Sequence, residues 1–257
     1  MNRWQKNRKR LIFLIVVLAL LILVGLPLYF FFYQAPTCSD DKRNSDETGI
    51  DCGGSCQRLC APESLPLVLR GDPRVLQIAT TSFEIVAIVE NPNAAEIKRA
   101  KYDIQIYAGA IPIESLEGEL YIPASSKFAV FEGPFHITSG RVPTRATLEW
   151  QEESLLWEKS AKTSLKIRVK STSFSRLLPP RLEAWIENLS LDGVSNIDLT
   201  VLVSDKDGNI FAASKTLIDS IPPRGEMLAV FSWPRPFLLE TASTEVLVKI
   251  LPSRSLR

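Results

Sequence analysis

Hydrophobic and polar positions divide the chain into three textures. Residues 11–33, LIFLIVVLALLILVGLPLYFFFY, carry no charge. A helix over this run reaches about 34 Å at about 1.5 Å per residue, enough to cross a hydrocarbon core about 30 Å thick. Pro27 falls near its end, where a kink is tolerated in lipid, and Tyr29 and Tyr33 suit an interfacial aromatic belt. The next stretch is polar and acidic, and between Cys38 and Cys60 it has only Ile50 and Leu59 as large apolar side chains. Beyond Pro66 come short alternating runs broken by Pro, Gly and Asn. In KYDIQIYAG, Tyr102, Ile104 and Ile106 share one face; in NIDLTVLVSDKDGN, Ile197, Leu199, Val201 and Val203 do. Period two predicts half-buried strands, and Asp207-Gly208 predicts a hairpin turn. The pattern as a whole predicts all-β sandwich architecture.

The strand region repeats. YIPASSKFAVFEGPF (121–135) matches SIPPRGEMLAVFSWPRPF (220–237): Ile122-Pro123 aligns with Ile221-Pro222, Ala129-Val130-Phe131 with Ala229-Val230-Phe231, and Phe135 with Phe237. SFEIVAIVENPN (82–93) aligns with RLEAWIENLS (181–190), each a strand ending in Glu-Asn, and the closing strands are ATLEW (146–150) and EVLVKIL (245–251). The offset of about 100 residues is the size of one small domain. The segments are therefore a basic cytosolic stub (1–10), a transmembrane helix (11–33), a cysteine-rich disulfide segment (34–64), and two tandem immunoglobulin-like β-sandwiches (65–160 and 161–257). WQEESLLWEKSAKT (150–163) joins the copies as a strand continuation or a short ordered linker.

Charge adds an orientation. Arg3, Lys6, Arg8, Lys9 and Arg10 precede the apolar run, with no acid among them. Basic residues stay on the cytosolic side, so the N-terminus is expected inside and the C-terminus outside a plasma membrane. A cleaved signal peptide is the rival, but its apolar region is shorter and ends in small residues. Removing those five from 30 basic residues leaves 25 against 29 acidic ones, a net of −4 outside. No basic stripe remains for nucleic acid.

An oxidising exterior makes Cys38, Cys52, Cys56 and Cys60 two disulfides, with three connectivities open. A Cys38–Cys52 bridge would close a loop of about 15 residues, worth about 3 kcal/mol, replacing a core the segment cannot build. Zinc needs two close cysteine pairs, and Cys38 stands alone with no histidine near it. An iron–sulfur cluster suits the compartment less still. The oxygen donors Asp40, Asp41, Asn44, Asp46, Glu47 and Asp51 make calcium the alternative, although Lys42 breaks the EF-hand pattern. The plain reading of these six is a solvated acidic loop turning at Gly53-Gly54.

Glu47-Thr48-Gly49-Ile50-Asp51-Cys52-Gly53-Gly54 resembles a short cysteine module of prokaryotic surface proteins, with Asp41 in place of its usual glycine. The resemblance implies a surface location in a prokaryote and no activity. FEIVAIVENPN, followed by a strand, Gly109, Ile122-Pro123 and a last strand, resembles the late-embryogenesis-abundant type 2 (LEA-2, or WHy) domain over about 75 residues centred on Asn91-Pro92-Asn93. The resemblance implies seven-stranded immunoglobulin-like sandwiches without catalytic residues, linked in plants to membranes and stress. The second copy departs from it, with Asn188-Leu189-Ser190 at the signature. On the residues alone, Asn91-Pro92-Asn93 is a turn: Pro92 ends the ladder and asparagine side chains close turns.

Nothing in the sequence assembles catalysis. His136 is the only histidine, follows Phe135 at a strand end and lacks a nucleophile elbow; it is expected at the surface. No phosphate loop or nucleotide fingerprint occurs. Glu152-Glu153 reads as a solvated pair. Trp150, Trp157, Trp185 and Trp233 are expected in cores or in packing between the domains, with a carbohydrate- or partner-binding aromatic face as the alternative. The expected function is therefore that of a non-enzymatic, membrane-anchored protein presenting two sandwiches on a disulfide-knotted stalk. Its partners would be the membrane and an envelope protein or polymer, with no cofactor besides calcium and no evident small-molecule substrate. A LEA-2-like role on lipid or in membrane stress is the second reading, and an enzyme with an unrecognised site the third.

Overall fold

The computed structural model describes residues 3–32, 37–138, 140–160, 166–177 and 179–252. The interfacial Tyr33 lies outside them, as do the side chain of Tyr29 and the end of the joining segment at 161–163. The chain divides into two units, Met1–Cys56 and Gln57–Arg257.

The first unit contains helix α1, Arg3–Phe32, which runs through Pro27. Its stretch Arg10–Leu28 is long and apolar enough to cross a membrane, and none of it is buried within the protein. A helix that is apolar all round and packs against nothing finds its low-energy surroundings in lipid or in an export signal.

The second unit is antiparallel β throughout. In the first sandwich, one sheet places β3 (Ser82–Asn91) between β6 (Ser126–His136) on one side and the short β1 (Val68–Leu69) and β2 (Arg74–Gln77) on the other. The facing sheet places β4 (Ala95–Ala108) between β5 (Ile111–Ile122) on one side and β7 (Arg145–Trp150) and β8 (Trp157–Lys159) on the other. The second sandwich repeats this plan with fewer breaks. One sheet runs β9 (Ile167–Ser175), β10 (Arg181–Asn188), β13 (Glu226–Ser232); the other runs β12 (Ile210–Ile221), β11 (Val194–Ser204), β14 (Ser243–Ile250). The aligned segments of the sequence repeat occupy equivalent strands: β3 with β10, β4 with β11, β6 with β13, β7 with β14. Among its described residues this second copy has six strands. Asp207-Gly208 makes the β11–β12 hairpin, with Gly208 at φ +80°.

Each sandwich buries the predicted alternating face. Ile85, Ala87, Val89, Ile104 and Ile106 meet in the first core, and Ile197, Leu199, Val201, Val203 and Leu182 in the second. A third apolar layer was not anticipated. The opposite faces of β2, β3 and β6 (Leu76, Val86, Ala129) pack on the opposite faces of β11, β12 and β14 (Leu202, Ala213, Leu247). The two copies are thus stacked sheet on sheet, giving four sheet layers and three apolar interlayers. β3 and β11 lie in the middle and are buried on both faces, as the continuous apolar run Ile85–Val89 requires.

The joining segment is ordered where described. It makes a single helical turn, Glu152–Ser154, and then β8, which pairs with Ala95–Ile97. Trp157 and Trp233 are buried, and Trp150 packs edge-on to Tyr102. Trp185 departs from the core expectation: it is 42% exposed on the outer face of β10.

Candidate functional site

The cysteine segment is built as a knot. Cys38 pairs with Cys56; Cys52 and Cys60 are also disulfide-bonded, and no described cysteine is free. The bridge from Cys38 therefore skips Cys52. The candidate calcium ligands serve as local caps. Asp51 accepts hydrogen bonds from the backbone N–H groups of Asp40 and Asp41, each at 2.9 Å. Asp40 accepts from the Asn44 amide at 2.9 Å, which holds its carboxyl below the ordinary range. Glu47 accepts from the Asn44 N–H at 3.1 Å, and Asp46 from the Ser55 hydroxyl at 2.7 Å. Gly54, at φ +51°, is required because a Cβ there would fall 2.1 Å from the Asp46 carbonyl oxygen. Among the described residues no three of these carboxylates converge. The group whose donor atoms do cluster is Cys38, Glu47 and Cys56, and its two sulfurs are bonded to each other, leaving one carboxylate.

The Asn-Pro-Asn turn is a buried clamp. The Asn91 amide donates to the carbonyls of Ala95 (2.8 Å) and Pro123 (2.7 Å), and its oxygen accepts the Asn93 N–H at 2.9 Å. Asn93 in turn pairs its side chain with both backbone groups of Leu65, fixing the incoming chain. Asn188-Leu189-Ser190 does the same work. The Asn188 amide donates to the carbonyls of Asp192 (2.8 Å), Ile221 (3.3 Å) and Pro222 (3.0 Å), and its oxygen accepts the Ser190 N–H. The Ser190 hydroxyl accepts the N–H of Lys166, the incoming residue of the second copy. The sequence departure at this turn therefore conceals an equivalent structure.

His136 is exposed, with Nδ1 2.9 Å from the Ser82 hydroxyl across the β3–β6 pair. Glu152 and Glu153 are exposed, as the solvated reading expects.

Of the cavities with ligand-sized dimensions among the described residues, the one lined chiefly by apolar and aromatic side chains around a carboxylate lies where the two sandwiches meet. A groove of about 440 Å³ opens between β2 and β3 of one copy and β12 and the Pro234–Leu239 loop of the other. That volume falls within the range of small-molecule sites. Its walls are chiefly apolar, with Leu76, Phe211, Trp233 and Phe237 prominent. The aromatic wall is fixed: Phe237 contacts Phe211 and Trp233 edge-on, and the Trp233 indole N–H donates to the Ala213 carbonyl at 2.8 Å. Into this surface projects Glu84, which shares a face with Leu76 across the β2–β3 pair. The β3–β6 register shifts at this residue, and Gly133, at φ +130°, lies against it. A Cβ on Gly133 would sit 2.9 Å from Glu84 Cγ, so glycine leaves the room this side chain occupies.

Half-burial against apolar walls pushes the Glu84 carboxyl up to about 6. The folded state therefore holds this proton more tightly than the unfolded chain, and ionising Glu84 costs stability as pH rises from about 4.5 to about 6. Allowing for solvent screening of a half-exposed group, the cost is about 1 kcal/mol. Glu84→Gln is expected to be more stable than the parent by that amount at pH 7 and indistinguishable near pH 4, as read by urea denaturation at the two pH values.

Comparison with known proteins adds little. No family model and no curated protein matches the chain. Among solved structures, red sea bream transglutaminase aligns over 76% of this chain and 32% of its own, at 11% identity and a TM-score of 0.22. The chain spans about a third of that enzyme's length, and a likeness of this size carries no argument for fold or activity.

Proposed function

We propose that the chain is a single-pass membrane protein whose basic N-terminus stays in the cytosol and whose sandwiches stand outside, where they bind an envelope protein or polymer without catalysing a reaction. The observation that carries this reading is the pairing of all four cysteines directly after an apolar, unpacked helix. Disulfides persist in oxidising compartments, and the helix supplies the means of holding the chain at one. Five basic residues before the helix set the orientation. We read the sandwiches as LEA-2-like on the strength of the Asn91 clamp and its repeat at Asn188, and a prokaryotic host on the cysteine module.

A second reading, action on lipid, draws support from one observation: the apolar groove between the copies, which a lipid-handling protein would need.

The test uses the full chain expressed in a bacterial inner membrane. Intact mass after alkylation without reductant should be four hydrogens light of the reduced chain, with no alkyl adduct. A C-terminal tag should be cleaved by protease added to spheroplasts. Alkylated thiols, or a tag protected until lysis, would sink the outward reading.

A further inference from the structure

We propose that the groove at Glu84 binds a small organic cation, an ammonium carried on an apolar body. Three features of the groove converge on this chemistry. Its walls are apolar and aromatic, which favours a hydrocarbon or aryl body. A carboxylate is set among them with no hydrogen-bond or ion-pair partner among the described residues; burial alone perturbs it. Trp233 and Phe237 line the groove with aromatic rings, the side-chain type that attracts ammonium groups. A carboxylate in such a setting is costly until a cation neutralises it, so the free energy of filling the site is largest for a ligand bringing both charge and apolar surface. The position is held from both sides: the glycine at 133 makes space for the Glu84 side chain, and the Trp233–Ala213 hydrogen bond fixes the facing wall.

Arg235 is the other charged residue lining the groove. It is exposed between Pro234 and Pro236 and does not perturb Glu84. β2 carries Arg74 on the same face, opposite Val86 rather than Glu84, and its charge acts on Asp205 of the second copy; burial is the sole perturbation of Glu84. Ionisation of Glu84 therefore controls the affinity, and binding should strengthen as pH rises through about 6. The inference does not depend on membrane orientation, so either can fail alone.

The experiment is isothermal titration of the full chain, in a nonionic detergent, with phenethylammonium chloride. Saturable binding is expected at pH 7.5, weakening about ten-fold at pH 5, where a group titrating near 6 is about nine-tenths protonated. 3-Phenylpropanol, of like size and neutral, should bind at least ten-fold more weakly, and 3-phenylpropionate not at all. Glu84→Gln should lose at least ten-fold for the ammonium and little for the alcohol. Absence of saturable heat, unchanged affinity in Glu84→Gln, or equal binding of the alcohol would overturn the proposal; the last would make this a groove for neutral amphiphiles. Closure of the groove by a second copy would appear as dimers in sedimentation that the ammonium fails to dissociate, and would overturn it too. Should Glu84→Gln fail to fold, the pH series on the parent chain decides.

Discussion

Asn188→Ala is expected to lower the stability of the second unit by about 4 kcal/mol, an effect well above the usual point mutation. Asn188 is fully buried. Truncation removes the donor from the carbonyls of Asp192, Ile221 and Pro222 and the acceptor from the Ser190 N–H. Each buried group so stranded costs about 1–3 kcal/mol, less where water enters. Asn188→Asp separates the two roles. It keeps an acceptor for Ser190 but faces three carbonyl oxygens with a carboxylate, and should be at least as damaging. Asn91→Ala should behave alike in the first copy. Urea denaturation followed by tryptophan fluorescence measures all three, and a loss below 1 kcal/mol for Asn188→Ala would show that water replaces the clamp. The same geometry bears on Asn188-Leu189-Ser190 as a glycosylation sequon: an amide committed to three carbonyls is closed to modification once folded.

The strands were legible because period two survives in them: Tyr102, Ile104 and Ile106 are buried together, and so are Ile197, Leu199, Val201 and Val203. The internal repeat was legible for the same reason, since apolar spacing outlasts residue identity. The equivalence of Asn188-Leu189-Ser190 to the Asn-Pro-Asn turn was not, because the signature's proline and second asparagine are replaced. What the clamp needs is one amide, at Asn91 or Asn188, and any side-chain acceptor two residues on, which Ser190 provides. The stacking of the copies left a signal that alternation obscured. Ile85–Val89 is apolar without interruption, the mark of a strand covered on both faces. The groove left none: Glu84 and Trp233 are about 150 positions apart, and only the packing of one copy on the other brings them to one cavity.

That packing makes Leu202→Asp the second large expectation. Leu202 is 2% exposed in the layer between the copies. The same strand already carries a buried acid, Asp198, but there Lys249 and Lys215 each approach the carboxylate at 3.2 Å. Lys249 is itself buried, and its ammonium is pushed down by that burial against the pull of Asp198. Four residues further along, on the same face, the surroundings reverse. Position 202 pairs with Ala213 on one side and Glu245 on the other, and Glu245 is engaged with Lys127 of the first copy. An aspartate at 202 would be desolvated beside a like charge, a loss of about 3–5 kcal/mol. The loss falls on the shared layer, while the cores around Ile104 and Leu199 keep their own contacts. The parent should therefore unfold in one transition and Leu202→Asp in two. Trp150 and Trp157 report the first copy and Trp185 and Trp233 the second, so replacing either pair by phenylalanine in the Leu202→Asp background assigns each step. A single transition at lower urea would mean that neither copy stands without the other. An unshifted midpoint would mean that the layer contributes nothing, against the burial of Leu76, Val86, Ala213 and Leu247 within it.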